Sequence, residues 1–205
     1  MNASEAFLFL QQPHIAVPIV LATMAGFFLA GRRWAALYVG LMPFINWSFG
    51  AVETYAIPGW LGGGQFQPLA IVTGLVLVVR DFAQREMKHW VWAAMITGLL
   101  LSTLTSWITI VVASGLAFLI SETVDWAVYT FSKRPLSQRI MLSSVASAPL
   151  DQLVFIGLAS MVVPGIFAWG TIITGIASKL LGAWVVSRVI AAQERKTAPQ
   201  QVNPA

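Results

Sequence analysis

The chain contains no cysteine. That excludes disulfides and thiolate metal sites. Charge is also scarce. Only 10% of the 205 residues are Asp, Glu, Lys or Arg, against 58% hydrophobic. A soluble domain carries about 25% charged residues. The mean hydropathy is +0.77, and no polar stretch is long enough to build a separate soluble domain. The two histidines, His14 and His89, fall at expected helix ends with no partner at ligand spacing, so no metal is expected. "LGGGQF" is rich in glycine but precedes no Gly-Lys-Ser/Thr phosphate loop, so the chain is not itself an ATPase. The opening "MNASEAFLFLQQPH" has no basic region before its apolar part and does not resemble a cleaved secretory signal. The net charge of +4 is small. It reads as loop charge that sets orientation, not as a nucleic-acid surface.

What is present is apolar chain in helix-length runs. A spanning helix needs about 20 such residues. Seven candidates run over 14–31, 34–51, 66–84, 90–105, 107–132, 138–162 and 167–191. The reading is an all-α polytopic membrane helix bundle. Residues 1–13 form an N-terminal tail and 192–205 a disordered polar tail. The cuts fall at "GRRW", at the Gly/Pro-rich "IPGWLGGGQFQP" and at "VVPG". Basic residues alternate with the connections. Arg32 and Arg33, Arg85 and Lys88, Lys133, Arg134 and Arg139, and Arg195 and Lys196 follow every second span. The connections near 52–65, 105–107 and 163–166 carry none. The positive-inside rule then places the C-terminus in the cytoplasm and the N-terminus outside, in a bacterial-type inner (plasma) membrane. Should the first segment lie flat on the surface, six spans remain and the C-terminus stays inside.

Against that oily background a few ionisable groups stand out. Asp81, Glu122, Asp125, Asp151 and Lys179 fall in or close to expected spans. Two acids sit in a repeated setting: "SETVDWAVY" and "SAPLDQLVF" share Ser-x-x-apolar-Asp-x-x-Val-aromatic. Asp125 lies roughly 12 Å along its helix from Lys133, and Asp151 roughly 18 Å from Arg139. An acid at that depth costs a few kcal/mol, so it faces the bundle interior or a wet cavity. Lys179 needs an acidic partner among Asp125, Asp151 and Glu122. The pair can hold the bundle together or mark a substrate or ion pathway, and charges on several helices favour the pathway. Helical spacing gathers the rest. Asp81 and Gln84 lie within one turn, as do Ser121, Glu122 and Asp125. Ser144, Ser147 and Asp151 share a face, with Gln152 beside them. Pro149 is expected to loosen the turn before Asp151. Asn46, in "PFINWSF", is a further polar side chain in an apolar span, while "ATMAGFFLAG" reads as close helix packing.

Acids, amides and hydroxyls converging between helices suit a flat heterocycle with several N–H donors, as in guanine. A carboxylate accepts two donors, and Asn and Gln address ring carbonyls and nitrogens. Trp47, Trp126, Tyr129 and Phe155 are candidate stacking rings, although core or interface anchoring is the commoner role for such residues. The candidate site is therefore Asn46, Asp81, Gln84, Glu122, Asp125, Ser144, Asp151, Gln152 and Lys179. One of the two repeated aspartates would accept the base and the other would pair with Lys179 or carry a proton. Asp151 is the choice for the base.

"LVVRDFAQREMKHW", "LISETVDWAVYTFSKR", "SSVASAPLDQLVFIGLA" and "GIASKLLGAW" resemble the VUT family of vitamin uptake transporters, also called queuosine precursor transporters. The resemblance covers roughly residues 35–190. Asp81 matches an acid before a short basic loop, Asp125 and Asp151 match the two later acids, and Asn46 and Lys179 match a polar residue in the first and last spans. The loop "RDFAQREMKHW" lacks a glycine that many relatives carry. The resemblance implies six spans, with 14–31 as an addition. It also implies a core similar to the substrate-binding subunits of energy-coupling-factor transporters, working without their ATPases. The activity it implies is import of 7-cyano-7-deazaguanine or a related deazapurine base for the queuosine modification of transfer RNA. The alternatives are a vitamin-binding subunit that borrows a separate ATPase, an intramembrane enzyme with paired aspartates, and a purely structural membrane protein. The enzyme would need Tyr-Asp and Gly-x-Gly-Asp motifs, and neither is present, so the chain is read as a non-enzyme. No cofactor is called for. The expected partners are a small heterocyclic base and membrane lipid, with no nucleic acid. A homo-oligomer stays open.

Overall fold

The computed structural model describes residues 3–161, 163 and 165–197. Each apolar run becomes a helix: α2 Pro13–Leu29, α3 Arg33–Ala51, α4 Ala70–Met87, α5 Val91–Ser102, α6 Ile108–Phe131, α7 Leu136–Ala159 and α8 Trp169–Thr197. A further helix, α1 Ala3–Leu10, occupies most of the segment expected to be a tail. So short a helix is marginal alone. The chain just after it is tied down by Gln11, which donates to the carbonyls of Thr103 at 2.8 Å and Ser106 at 3.4 Å. At the other end α8 continues to Thr197, past the expected boundary at 191. The rest of the expected disordered tail, 198–205, lies outside the described residues, as does the side chain of Tyr129.

Helix boundaries have local causes. Pro13 starts α2, where its missing N–H is no loss. Gly31, at φ 76°, lets the chain leave α2. The start of α3 carries no side-chain cap of its own. Glu86, at the end of α4, supplies one from across the bundle. Its carboxylate accepts from the backbone N–H groups of Arg33 at 2.8 Å, Trp34 at 3.0 Å and Ala35 at 3.1 Å. Glu194 does the same for α7, accepting from the Ser137 N–H at 3.3 Å and from Ser137 Oγ at 2.6 Å. Pro149 is accommodated within a helix. It sits inside α7 without ending it. In a buried helix one freed carbonyl is tolerated where neighbouring side chains and small backbone adjustments absorb it.

The helices pack in a closed circuit: α3 on α4, α4 on α8, α8 on α7, α7 on α6, with α6 returning to α3 and α5. α2 lies outside this circuit, packed mainly on α3. The α4–α8 seam is very close. A Cβ on Gly74 would meet the Lys179 backbone, and one on Gly182 would lie 3.2 Å from the Gly74 carbonyl carbon. Glycine at both positions lets the two backbones touch and fixes the height of Lys179.

The distribution of polarity is inverted relative to a soluble protein. Arg80, Asp81, Glu122, Asp125, Asp151 and Lys179 are buried, while Leu100, Val112, Leu119, Val145, Leu153 and Ile173 are exposed. Such a surface is stable against lipid, which solvates leucine and leaves charge inside. Exposed Trp90, Trp107 and Trp169 sit at the starts of α5, α6 and α8, the level at which indoles prefer the membrane–water interface. Three helices, α6, α7 and α8, are long and apolar enough to cross a membrane by length and composition, and α2 is a shorter apolar helix. α4 is interrupted by Arg80, Asp81, Arg85 and Glu86. The protein is an all-α, integral membrane helix bundle.

Candidate functional site

The connection between α3 and α4 folds into a small hairpin. Strands β1 Tyr55–Ala56 and β2 Gln65–Phe66 pair antiparallel. Gly62, Gly63 and Gly64 have φ of 92°, 64° and 91°, a left-handed run that other residues resist. Two bonds hold the hairpin on the start of α8. The Gly170 N–H donates to the Gly62 carbonyl at 3.3 Å, and the Gln65 N–H donates to Thr171 Oγ1 at 2.9 Å.

Beneath this roof lies a cavity of about 180 Å³, lined from α3, α4, α6, α7 and α8. Its wall is largely apolar and aromatic. Phe49 and Phe155 meet edge to face at 5.0 Å. Polar side chains reach it from each of these helices and from the hairpin. On the floor Lys179 Nζ forms an ion pair with Asp151 Oδ2 and donates to Gln152 Oε1 at 2.7 Å. Gln152 Nε2 in turn donates to the Thr171 carbonyl at 3.3 Å. Ser121 Oγ donates to the second oxygen of Asp151 at 3.3 Å. On one side Asn46 donates to Ser102 Oγ at 3.0 Å. Gln67 donates to the Ser48 carbonyl at 2.9 Å, which leaves its Oε1 buried and without a hydrogen-bond partner among the described residues.

A second polar layer lies further along the bundle, away from the hairpin. Its centre is Arg80, 1% exposed. Arg80 Nε is paired with Glu122 Oε2. Its Nη1 donates to Gln84 Oε1 at 2.6 Å, Asp125 Oδ2 at 2.7 Å and, more loosely, Asp81 Oδ1 at 3.2 Å. Ser147 Oγ reaches the other Asp125 oxygen at 3.5 Å. Gln84 Nε2 donates to Thr130 Oγ1 at 3.2 Å, next to the end of α6.

The nine residues singled out in the sequence therefore divide. Asn46, Asp151, Gln152 and Lys179 line the cavity. Asp81, Gln84, Glu122 and Asp125 surround Arg80 instead. Ser144 is buried, with no hydrogen-bond partner among the described residues. The repeated aspartates lie on neighbouring helices but in different layers: Asp151 faces the cavity and Asp125 faces Arg80. Lys179 takes Asp151, the same acid chosen for the base. Among the ring candidates Phe155 lines the cavity, whereas Trp47 lines a separate groove and Trp126 packs near His89 and Phe131.

Sequence reasoning missed Arg80. The signal was there, since an arginine flanked by "LVV" and "DFA" lies roughly 15 Å into α4. Its neighbours Arg85 and Lys88 draw attention to the loop. Gln67 and Thr171 were missed as well. They sit at the hairpin end and at the start of α8, and only folding brings them to the cavity.

None of the curated proteins and none of the solved structures matches the chain. A family profile does match, over residues 64–192, and this stretch takes in β2, α4 to α7, most of α8, and every member of both charged layers. The chain thus belongs to the family described as "Putative vitamin uptake transporter".

Proposed function

We propose that the protein imports a small, flat, N–H-rich heterocycle, a deazapurine base such as 7-cyano-7-deazaguanine, and that the cavity under the hairpin is its binding site. The observation that carries this reading is the cavity itself. A largely apolar, aromatic-walled space also presents polar side chains, among them the Asp151 carboxylate and the amides of Asn46, Gln65, Gln67 and Gln152, and one amide oxygen, Gln67 Oε1, has no hydrogen-bond partner among the described residues. A buried acceptor of this kind is costly until a ligand N–H meets it. Asp151 would take the donor-rich edge of the base, with Lys179 orienting the carboxylate. Asn46 and Gln152 would address ring carbonyls and nitrogens. Membership of an uptake family makes a small-molecule cargo the natural occupant.

The loop charges add a direction. All seven helices from α2 to α8 span the inner membrane in this reading. The hairpin faces outward, so the cavity opens to the side from which an importer collects its cargo, and the C-terminus is cytoplasmic. A reporter fused after Ala205 that matures only outside the cytoplasm stays silent. A signal from it overturns the orientation.

The deciding experiment is thermal-shift screening of the purified protein against guanine, 7-cyano-7-deazaguanine and a panel of vitamins, because a ligand bound only by the folded state raises its apparent stability. The deazapurine is expected to give the largest shift. Asp151→Asn exchanges an acceptor for a donor and should weaken binding by about tenfold to a hundredfold, the value of a charged hydrogen bond. A vitamin that shifts the protein while the bases do not would move the substrate class. Unchanged affinity in a folded Asp151→Asn protein would remove Asp151 from the site. Uptake into liposomes that contain no ATPase separates a self-sufficient transporter from a subunit that needs a partner.

A further inference from the structure

The Arg80 layer does not line the cavity, and its charges do not balance. Three carboxyls, Asp81, Glu122 and Asp125, converge on one guanidinium at full burial. Fully ionised, the layer would carry two uncompensated negative charges in a medium that tolerates few. Two of the carboxyl oxygens, Asp81 Oδ2 and Glu122 Oε1, are buried with no hydrogen-bond partner among the described residues, as is the hydroxyl of Tyr38. That hydroxyl lies within electrostatic reach of Glu122, Arg80 and Asp125. A metal cation is a poor occupant, because the guanidinium already fills the point on which the acids converge. The occupant that fits an unpartnered carboxyl oxygen in so tight a space is a proton.

We propose that this layer is the coupling site of the transporter: Asp81 binds one exchangeable proton, and its release towards the end opposite the hairpin drives import. Asp81 is the member that the guanidinium holds least. Its contact with Arg80 is 3.2 Å, against 2.7 Å for Asp125 and a direct Nε pair for Glu122. Asp125 is also reached by Ser147. Arg80 therefore holds Glu122 and Asp125 more closely, and Asp81 is the member that takes and releases the proton. The ionisable groups acting on Asp81 are Asp125, Arg80 and Glu122. From α3 comes Tyr38, α5 brings no ionisable side chain, and Asp151 of α7 and Lys179 of α8 are paired with each other. Lys88 and His89 follow α4 at its exposed end.

Position supports the role. The layer lies between the cavity and the far end of the bundle, and polar contacts leave it both ways. Ser121, adjacent to Glu122 in sequence, donates to Asp151 on the cavity floor. Gln84, one turn beyond Arg80, donates to Thr130 near the end of α6. A base arriving at Asp151 thus perturbs a contact one residue away from the acid layer.

The proposal rests on the transport reading, and its test has one arm that does not. The infrared carboxylic-acid band of the purified, ligand-free protein should titrate with pH, disappear in Asp81→Asn, return in Asp81→Glu and persist in Asp151→Asn. In proteoliposomes, labelled 7-cyano-7-deazaguanine should accumulate about tenfold per unit of pH gradient, acid outside, for one proton per base. Asp81→Asn should bind the base within about twofold of wild type yet lose that accumulation. A band that survives Asp81→Asn overturns the assignment, and so does accumulation that follows a sodium gradient and ignores pH. If the wild type binds no base at all, the substrate reading fails, and the infrared band still decides the proton site.

Discussion

The two charged layers of the bundle solve the same problem in opposite ways. On the cavity floor one lysine meets one aspartate, and amide and hydroxyl groups satisfy what remains. In the deeper layer one arginine serves three acids and leaves two carboxyl oxygens unpartnered among the described residues. The first arrangement is balanced and abuts a space, which suits a ligand that must come and go. The second is unbalanced and closed, which suits an occupant no larger than a proton. Guanidinium geometry explains the division of labour. A fork of five donors can hold several acids at once, whereas an ammonium is a point charge best matched by one. Burial alone therefore does not identify a binding group. The balance of its partners and the space beside it separate the two layers.

The largest break in this comparison is Arg80→Met. It leaves three acids with no counter-charge, so at least about 3–5 kcal/mol of stability should be lost, the cost of breaking a buried pair from one side. Poor recovery of folded protein and a low melting temperature in detergent are the readouts. A stable Arg80→Met protein would mean that all three acids are already neutral, which contradicts the layer's role.

Lys179→Met should be milder. Asp151 keeps Ser121 and borders the cavity, so the expected loss is about 1–3 kcal/mol, with binding of the base abolished. Adding Asp151→Leu should restore stability without restoring binding. Additive losses in that double variant would show that the two groups are not coupled.

Glu86→Ala sets the scale for a carboxylate outside both layers. Removal of the cap of α3 should cost about 1 kcal/mol and leave ligand affinity unchanged. A change in affinity would extend the functional network to the far end of α4.

The smallest expected effect sharpens the link between the layers. Ser121→Ala deletes the hydroxyl that joins Asp151 to the turn carrying Glu122. Stability should fall by about 0.5–1.5 kcal/mol, binding should survive, and accumulation of base should respond less to the pH gradient. Full coupling in Ser121→Ala would show that the layers communicate by helix movement and not through this bond.

Much of this protein was legible in its sequence. The apolar runs gave helices whose ends fall within a few residues of the expected spans for α2, α3 and α6, because hydrophobicity, proline and glycine act locally on the backbone. Depth was legible too, since rise per residue is constant: an acid in mid-helix had to be buried. Which acid meets which base was not. Asp125 and Asp151 share one local pattern, yet α6 turns its aspartate to Arg80 and α7 turns its own to Lys179. The choice follows from how the helices face one another, including the glycine contact of Gly74 with the Lys179 backbone that seats α8 on α4. Arg80 escaped notice because a charge at the junction of span and loop reads equally as anchor or as core. Gln67 escaped because a loop amide has no periodicity. Sequence thus determined that charge would lie inside an apolar bundle, a consequence of composition and helical rise. Only the tertiary structure decided how that charge is divided between a pair beside a cavity and an enclosed cluster, because pairing depends on distances between helices that no single helix encodes.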